Sequence, residues 1–437
     1  MKNIFLVIGS GAREHAIIKA LYKSSQEKNI FCLATNFNPG IAELVDEIYI
    51  DNINDPKIVL GYAIENKVSL AIIGPENPLE NGVTDLLEKN NIGVVGPKKN
   101  LAKIESSKSF TRKLLKDFKI FSSPKFKTFS SIDGVDEFLI ELGNYYVVKY
   151  DGLAGGKGVK VSGEHLHSHQ EAIDYCLDLI KLGGKFVVEE KLIGQEFSLM
   201  SFCDGHNVIH MPIVQDHKRA YENDEGPNTG GMGTYSDVNH SLPFLTKDDI
   251  INSQNINESV SKALFDKFKV GYKGILYGGF IATKEGVQVI EYNARFGDPE
   301  AMNVLCLLET DFIDICKSIV SGTLNKINVV FSKKATVCKY VVPNGYPDNP
   351  IKNRPINIQK VLNPDLLYYA SVDIKNGLLV EAGSRTIAVV AASDTIANAE
   401  KIVEKNILVI EGPLFHRQDI GKDDTINKRI KNMKSIR

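Results

Sequence analysis

Val147-Val148-Lys149-Tyr150-Asp151-Gly152-Leu153-Ala154-Gly155-Gly156-Lys157-Gly158-Val159-Lys160-Val161 sets a glycine-rich, lysine-bearing loop between two short apolar runs. Tyr145 to Lys149 reads as one strand and Val159 to Val161 as the next, so the loop is a flap joining two strands. Its backbone N–H groups can cradle phosphate oxygens, and Lys157 can neutralise their charge. It is not a Walker A loop: the spacing from Gly152 is one residue short, Gly158 replaces the Ser or Thr, and a strand follows where a helix should. Lys149 is either an ordinary edge-strand charge or an inward lysine beside this loop, and the second has the stronger electrostatic reason.

Towards the N-terminus, Ile4-Phe5-Leu6-Val7-Ile8 is a continuous apolar run, the mark of a buried parallel strand. Gly9-Ser10-Gly11-Ala12-Arg13-Glu14-His15-Ala16 then turns into a helix whose free N–H groups and dipole favour an anion. The dinucleotide fingerprint needs a Gly or Ala where Glu14 stands, and no acid follows the second apolar run at Ile30 to Ala34, so a nicotinamide cofactor is not expected. Leu70 to Ile73 ends in Gly74-Pro75-Glu76, Ile92 to Val95 ends in Gly96-Pro97, and Asn38-Pro39-Gly40 marks another turn. Together these predict a βαβ domain over residues 1–105, with Arg13, Gly40 and Glu76 bordering one crevice at the strand ends. From Ile104 to Phe118 the pattern is helical and carries Lys108.

Beyond the flap, Phe186-Val187-Val188-Glu189-Glu190 is a buried strand, and Glu196 to Cys203 is another. The turn at Glu190 to Leu192 offers main-chain groups that an adenine could use, and Glu196 stands where a ribose diol could bind. Asp216 and Lys218 are candidates for holding amine and phosphate groups. Gly226-Pro227-Asn228-Thr229-Gly230-Gly231-Met232-Gly233 predicts a tight loop whose N–H groups meet an anion or another segment. After a helical stretch around Ile256 to Phe268, the hairpin Gly274 to Ala282 and Val287 to Tyr292 leads into Asn293-Ala294-Arg295-Phe296-Gly297-Asp298-Pro299-Glu300. Residues two apart on a strand share a face, so Glu291 and Asn293 present two hard oxygen donors together, an arrangement suited to Mg²⁺. Arg295 follows, with a guanidinium able to fork onto a carboxylate or phosphate. Past Val330 the pattern predicts short strands and turns, and the last 20 residues read as a charged tail.

The 437 residues suggest about three domains at roughly 150 residues each. With 52 basic and 54 acidic residues the net charge is −2, which gives no general attraction to nucleic acid or membranes. Six dispersed cysteines, none in a Cys-x-x-Cys pair, read as buried apolar residues in a reducing compartment. No apolar run reaches the ~18 residues of a membrane span, and the N-terminal run is too short for a signal segment, so a cytoplasmic location is expected. The histidines of Glu164-His165-Leu166-His167-Ser168-His169 lack metal-ligand spacing and receive no role.

Taken in this order, the motifs resemble those of the phosphoribosylamine–glycine ligase family of ATP-grasp enzymes in purine synthesis. The likeness rests on Gly9 to Ala16, Gly74-Pro75-Glu76, Val148 to Val159, Gln215-Asp216-His217-Lys218, Asn228 to Gly233 and Glu291 to Glu300. It implies an α/β chain: an N-terminal doubly wound, Rossmann-like parallel-sheet domain (1–105), a central ATP-grasp domain (106–124 and 190–330), a flap domain (125–189) and a small α+β C-terminal domain (331–437). Carried over by position, Lys108, Lys149 and Lys157 would meet ATP phosphates, with Glu190 and Leu192 at the base, Glu196 at the ribose and Glu189 among the nucleotide contacts. Glu291 and Asn293 would hold Mg²⁺ or Mn²⁺. Gly9, Ser10, Gly11, Arg13, Glu14, Pro39, Gly40, Glu76, Asp216, Lys218, Thr229, Gly230 and Gly231 would surround phosphoribosylamine, and Arg295 the glycine carboxylate. Lys157 and Arg295 would neutralise charge during catalysis.

The resemblance implies small-molecule partners only, ATP as a substrate, and a monomer. Departures from the family pattern are Ala12 for a usual Gly, Tyr369-Ala370-Ser371-Val372 for a usual His-Ala-Gly-Thr, and no acid on Tyr277 to Ala282. An ATP-grasp carboxylase or a non-catalytic nucleotide sensor are the rival functions.

Overall fold

A computed structural model describes residues 3–155 and 158–437. Its N-terminal domain is a parallel sheet of β1 (Asn3–Ile8), β2 (Lys28–Ala34), β3 (Glu47–Ile50), β4 (Leu70–Ile73) and β5 (Gly93–Val95), in the order β3-β2-β1-β4-β5. The chain order reverses between β1 and β4, whose ends align as Ile8 with Ile73. The carboxyl ends of two such strands leave a crevice, because the connections depart to opposite sides of the sheet. Gly9 and Gly74 stand at that opening.

The helical stretch predicted from Ile104 to Phe118 is two helices, Lys99–Ser106 and Lys108–Asp117. Ser107 separates them in extended geometry and caps the second by accepting from the Phe110 N–H at 3.1 Å. A side-chain cap competes with helix continuation, and a period count does not detect it. The cap is reinforced from the flap: Asp151 accepts from the Ser107 hydroxyl and the Ser109 N–H, each at 3.0 Å.

The flap sheet runs β6 (Phe126–Phe129), β9 (Phe186–Glu190), β7 (Tyr146–Tyr150), β8 (Val159–Val161), all antiparallel. Two helices, Val135–Leu142 and His169–Lys181, close a core of its own around Phe138, Val148, Cys176 and Phe186. In this helix His169 reaches the Gly143 carbonyl at 3.0 Å, and His165 accepts from the Val161 N–H at 3.2 Å. The central sheet is β11 (Val208–His210), β10 (Gln195–Asp204), β16 (Lys273–Thr283), β17 (Gly286–Asn293), backed by the 22-residue helix Lys247–Phe268.

The last sheet crosses the boundary drawn near residue 330. It orders β12 (Gln215–Asp216), β15 (Gly233–Ser236), β18 (Ala335–Pro343), β22 (Ile387–Ser393) and β19 (Leu367–Tyr369). Between them in sequence lie the hairpins β13 (Arg219–Tyr221) with β14 (Glu225–Asn228) and β20 (Val372–Lys375) with β21 (Leu378–Glu381), while β23 (Leu414–Phe415) pairs with β18. The segment bearing Asp216 is therefore built into the C-terminal sheet. The expected charged tail is the helix Asp423–Ile436, which buries Ile426 and Met433 and sends Arg437 onto Asp249 at 2.6 Å.

Lys339, in the middle of β18, is fully buried among Glu400, Glu404 and the Gln418 carbonyl. Burial alone would raise the Glu404 pKa, but hydrogen bonds from His416 and Lys339 bring it down to about 2. A carboxylate depressed in the folded state stabilises it above the ordinary value of 4.5 and loses that contribution as pH falls towards about 2. Glu404→Gln is expected to flatten the pH dependence of unfolding across that window, measured by circular dichroism.

Candidate functional site

A bulge decides what β17 presents. Gly279 pairs with Glu291 but Phe280 pairs with Val289, so Ile290 is the extra residue. Strict alternation from the buried pair Val287 and Val289 would carry Glu291 and Asn293 into the core face. The inserted residue shifts the pattern by one, leaving Tyr292 in the core and turning Glu291 and Asn293 to the open face. Burial would raise the Glu291 pKa, but Lys218, Lys108, Lys149 and Arg295 outweigh it and hold the carboxyl below the usual range.

Lys218 stands between two acids, its Nζ 3.7 Å from Glu196 and 3.8 Å from Glu291. Burial opposes its charge, yet Glu196, Glu291 and Asp216 together raise its pKa, so it stays a cation. Its carbonyl accepts from Thr229 N–H at 2.7 Å, and the Thr229 hydroxyl accepts from Gly231 N–H at 3.0 Å. Lys218, Thr229 and Gly231 are thus joined at the base of the β13–β14 hairpin. Asp216 is pushed the other way: burial and then Glu300 raise its pKa well above the ordinary value. Glu300 itself is buried and accepts from the Tyr277 hydroxyl at 2.8 Å.

At the first crevice the structure changes the reading of Gly9 to Glu14. The Glu14 carboxylate folds back over the helix start, accepting from Gly11 N–H and from Arg13 Nε, both at 2.6 Å. A Cβ on Gly9 or Gly74 would collide with this carboxylate. The N–H of Gly11 is therefore taken, and the acid that breaks the dinucleotide fingerprint is the capping group. Arg13 also donates to the Phe296 carbonyl at 3.3 Å. Arg295 lies 3.4 Å from Glu76 and 2.8 Å from Glu105, and Glu105 accepts from Ala294 N–H at 2.7 Å. Burial acts against the Glu76 charge, but Arg295 and Arg13 hold its pKa down. Arg295 thus bridges two carboxylates.

Further contacts tie the flap to the helix Lys108–Asp117. Lys108 donates to the Gly152 carbonyl at 2.9 Å, tying helix to flap. Lys149 pairs with Glu189, whose other oxygen accepts from Arg112 Nε at 2.6 Å. Glu189, expected among the nucleotide contacts, is enclosed by these two cations. Glu190 is exposed at the end of β9, with its N–H on the Lys125 carbonyl at 2.9 Å, while the Leu192 main chain makes no hydrogen bond to described residues. Lys157 lies outside the described residues.

The C-terminal domain closes the site from two directions. Arg385 donates to the carbonyls of Gly230 (2.7 Å), Gly231 (3.0 Å) and Asp298 (3.0 Å), and stacks on Tyr340, whose hydroxyl holds Asp298 at 2.6 Å. Tyr369 lies against Gly40, accepts from Asn38 through its carbonyl at 2.8 Å, and donates its N–H to His15 at 3.0 Å. Burial, then Lys19, lowers the His15 pKa to about 3, keeping the ring neutral for that bond. Sequence reading missed Arg112, Asp151 and Arg385. For Arg112 a signal existed, since it falls one helical turn from Lys108 and beside Leu115, an arginine at a core position.

Family models described as phosphoribosylglycinamide synthetase match three consecutive stretches: the N domain over residues 3–105, the ATP-grasp (A) domain over 106–301 and the C domain over 336–423. The chain belongs to the phosphoribosylglycinamide synthetase family. Phosphoribosylamine–glycine ligase of Methanocella arvoryzae is 48% identical over 433 residues, 99% of either chain, and that of Methanocaldococcus jannaschii is 48% identical over 442 residues with the same coverage. Among solved structures, phosphoribosylamine–glycine ligase of Thermotoga maritima superposes with a TM-score of 0.81 at 26% identity, covering 95% of this chain and 99% of its own. The biotin carboxylase domain of Hydrogenobacter thermophilus 2-oxoglutarate carboxylase gives 0.71 at 16% identity, covering 99% of this chain and 94% of its own, a likeness of fold alone. The family architecture is the α/β ATP-grasp clamp with a parallel-sheet N-terminal domain that the sequence implied.

Proposed function

We propose that this chain ligates glycine to 5-phosphoribosylamine at the expense of ATP, giving glycinamide ribonucleotide, ADP and phosphate in purine synthesis. The observation that carries this reading is the full-length match to the family, joined to a bulged β17 that turns Glu291 and Asn293 out beside Lys218. The donor set fits Mg²⁺ or Mn²⁺: two hard oxygens on one face, one of them an ionised carboxylate, leaving other positions for phosphates and water. Bound there, the metal would neutralise charge on the transferring phosphoryl group.

The glycine carboxylate oxygen attacks the γ-phosphorus and ADP departs; the amine nitrogen then attacks the glycyl phosphate carbon and phosphate leaves. Lys108, Lys149, Lys157 and Lys218 would supply positive charge around the phosphates, and no protein nucleophile is required. The departing phosphate takes the proton that amide formation releases, and Asp216 would hold the amine of the phosphoribosylamine. Arg13, Glu14, Glu76, Pro39 and Gly40 would face the phosphoribosylamine, with Thr229 to Gly231 closing over it, and Glu190, Leu192 and Glu196 would hold the nucleoside. No helix among the described residues is long and apolar enough to cross a membrane. The active unit in this reading is a cytoplasmic monomer, because one chain supplies every group named.

ADP release by purified protein with ATP, Mg²⁺ and freshly generated phosphoribosylamine tests the reading. Release is expected only when glycine is added, with glycinamide ribonucleotide as product. Glycine-independent release would point to a different ATP-grasp activity.

A further inference from the structure

Arg112 received no role from the sequence, yet it holds the bulge on which the metal face depends. Its Nη1 donates to the Val289 carbonyl at 2.9 Å and its Nη2 to the Ile290 carbonyl at 2.8 Å. Ile290 is the inserted residue, and its carbonyl also accepts from Lys149 Nζ at 3.2 Å. Glu189 binds the Arg112 Nε and Lys149 together, and the side chains of Arg112 and Glu189 are each only 3% exposed. Helix Lys108–Asp117, flap strands β7 and β9, and β17 therefore meet at one buried guanidinium.

We propose that Arg112 is a positioning residue for the metal site: its fork fixes the bulge at Ile290, and the bulge sets Glu291 and Asn293 toward the phosphates. It also ties Lys149, on the flap, to the same carbonyl, so flap position and metal-strand geometry are coupled. The inference rests on the reading of Glu291 and Asn293 as metal ligands. The physical case is one of shape and cost. Burying a charged group is unfavourable by several kcal/mol unless its geometry satisfies specific partners, and an apolar side chain would fill this helix face without that penalty. Only a planar fork donates to two successive carbonyls while a third N–H holds a carboxylate. A lysine at 112 can satisfy one of these partners well and must release another.

Arg112→Lys is expected to raise the Mg²⁺ concentration for half-maximal ADP release, and to weaken Mn²⁺ binding read by electron paramagnetic resonance with ADP present, by on the order of tenfold or more, as loss of a supporting partner does at metal sites. The glycine KM should not move. A lowered kcat or melting temperature with wild-type Mn²⁺ binding would overturn the proposal, since a merely structural role predicts that. Arg112→Met, which leaves Glu189 paired with Lys149 and so strands no buried charge, gives the same comparison if Arg112→Lys folds poorly. Glu291→Ala is measured alongside. If it weakens Mn²⁺ binding and the Arg112 variants do not, only this proposal falls; if Glu291→Ala binds Mn²⁺ normally, the metal reading falls and takes the proposal with it.

Discussion

Glu291→Ala is expected to lower glycine-dependent ADP release by at least about 10²–10³-fold, the scale at which a preorganised electrostatic group acts on a transition state. The far-ultraviolet circular dichroism should remain that of the parent. Glu291 sits at the outer face of β17, where its ladder partner is Gly279 and Lys218 lies 3.8 Å away. Its carboxylate is ionised because that cation and the three behind it overcome burial. Removing it takes away the charged member of the two-oxygen set while leaving the β16–β17 pairing and the core residues Val287, Val289 and Tyr292 untouched. Glu291→Gln, which keeps the shape and loses the charge, should fall nearly as far. Near-normal turnover in either variant would remove Glu291 from the metal site, whatever the family implies.

Lys339→Met should destabilise the protein by about 3–5 kcal/mol, the penalty for breaking a buried ion pair from one side. Lys339 has no exposed side-chain surface, and its ammonium sits 2.7 Å from Glu400, 2.7 Å from Glu404 and 2.9 Å from the Gln418 carbonyl. Methionine fits the stem but takes the ammonium from between the two carboxylates, leaving Glu404 with His416. The triple variant Lys339→Met/Glu400→Gln/Glu404→Gln removes the stranded charge and is expected to recover part of the loss. The chain has no tryptophan, so urea unfolding is followed by circular dichroism. Equal stability of Lys339→Met and the parent would show that the carboxylates find water or protons at little cost. The cluster also bears on the site, because β18 pairs with β15 and β15 with β12, the strand that carries Asp216.

Much of this architecture was legible because its causes are local. Continuous apolar runs gave β1, β4 and β9, the flap was visible as glycines between two strands, and the hairpin β16–β17 followed from the runs Gly274 to Ala282 and Val287 to Tyr292. The break at Ser107 was less visible, since its cap draws on Asp151, 44 residues away. Arg385 received no role from the sequence, because the carbonyls it binds lie 155, 154 and 87 residues distant.

Sequence alone determined which chemical groups are present and in what order: the Glu291 and Asn293 oxygens, Lys218, Arg295 and the glycine-rich flap. Local pattern carries that information, since side-chain type and short-range backbone preference do not depend on distant contacts. Tertiary structure decided which way those groups face. The side-chain period of a strand is two, so a single inserted residue moves everything beyond it to the other face. Whether Ile290 is inserted depends on its pairing with β16 and on Arg112, brought in from 178 residues away. No run of neighbouring residues records that contact.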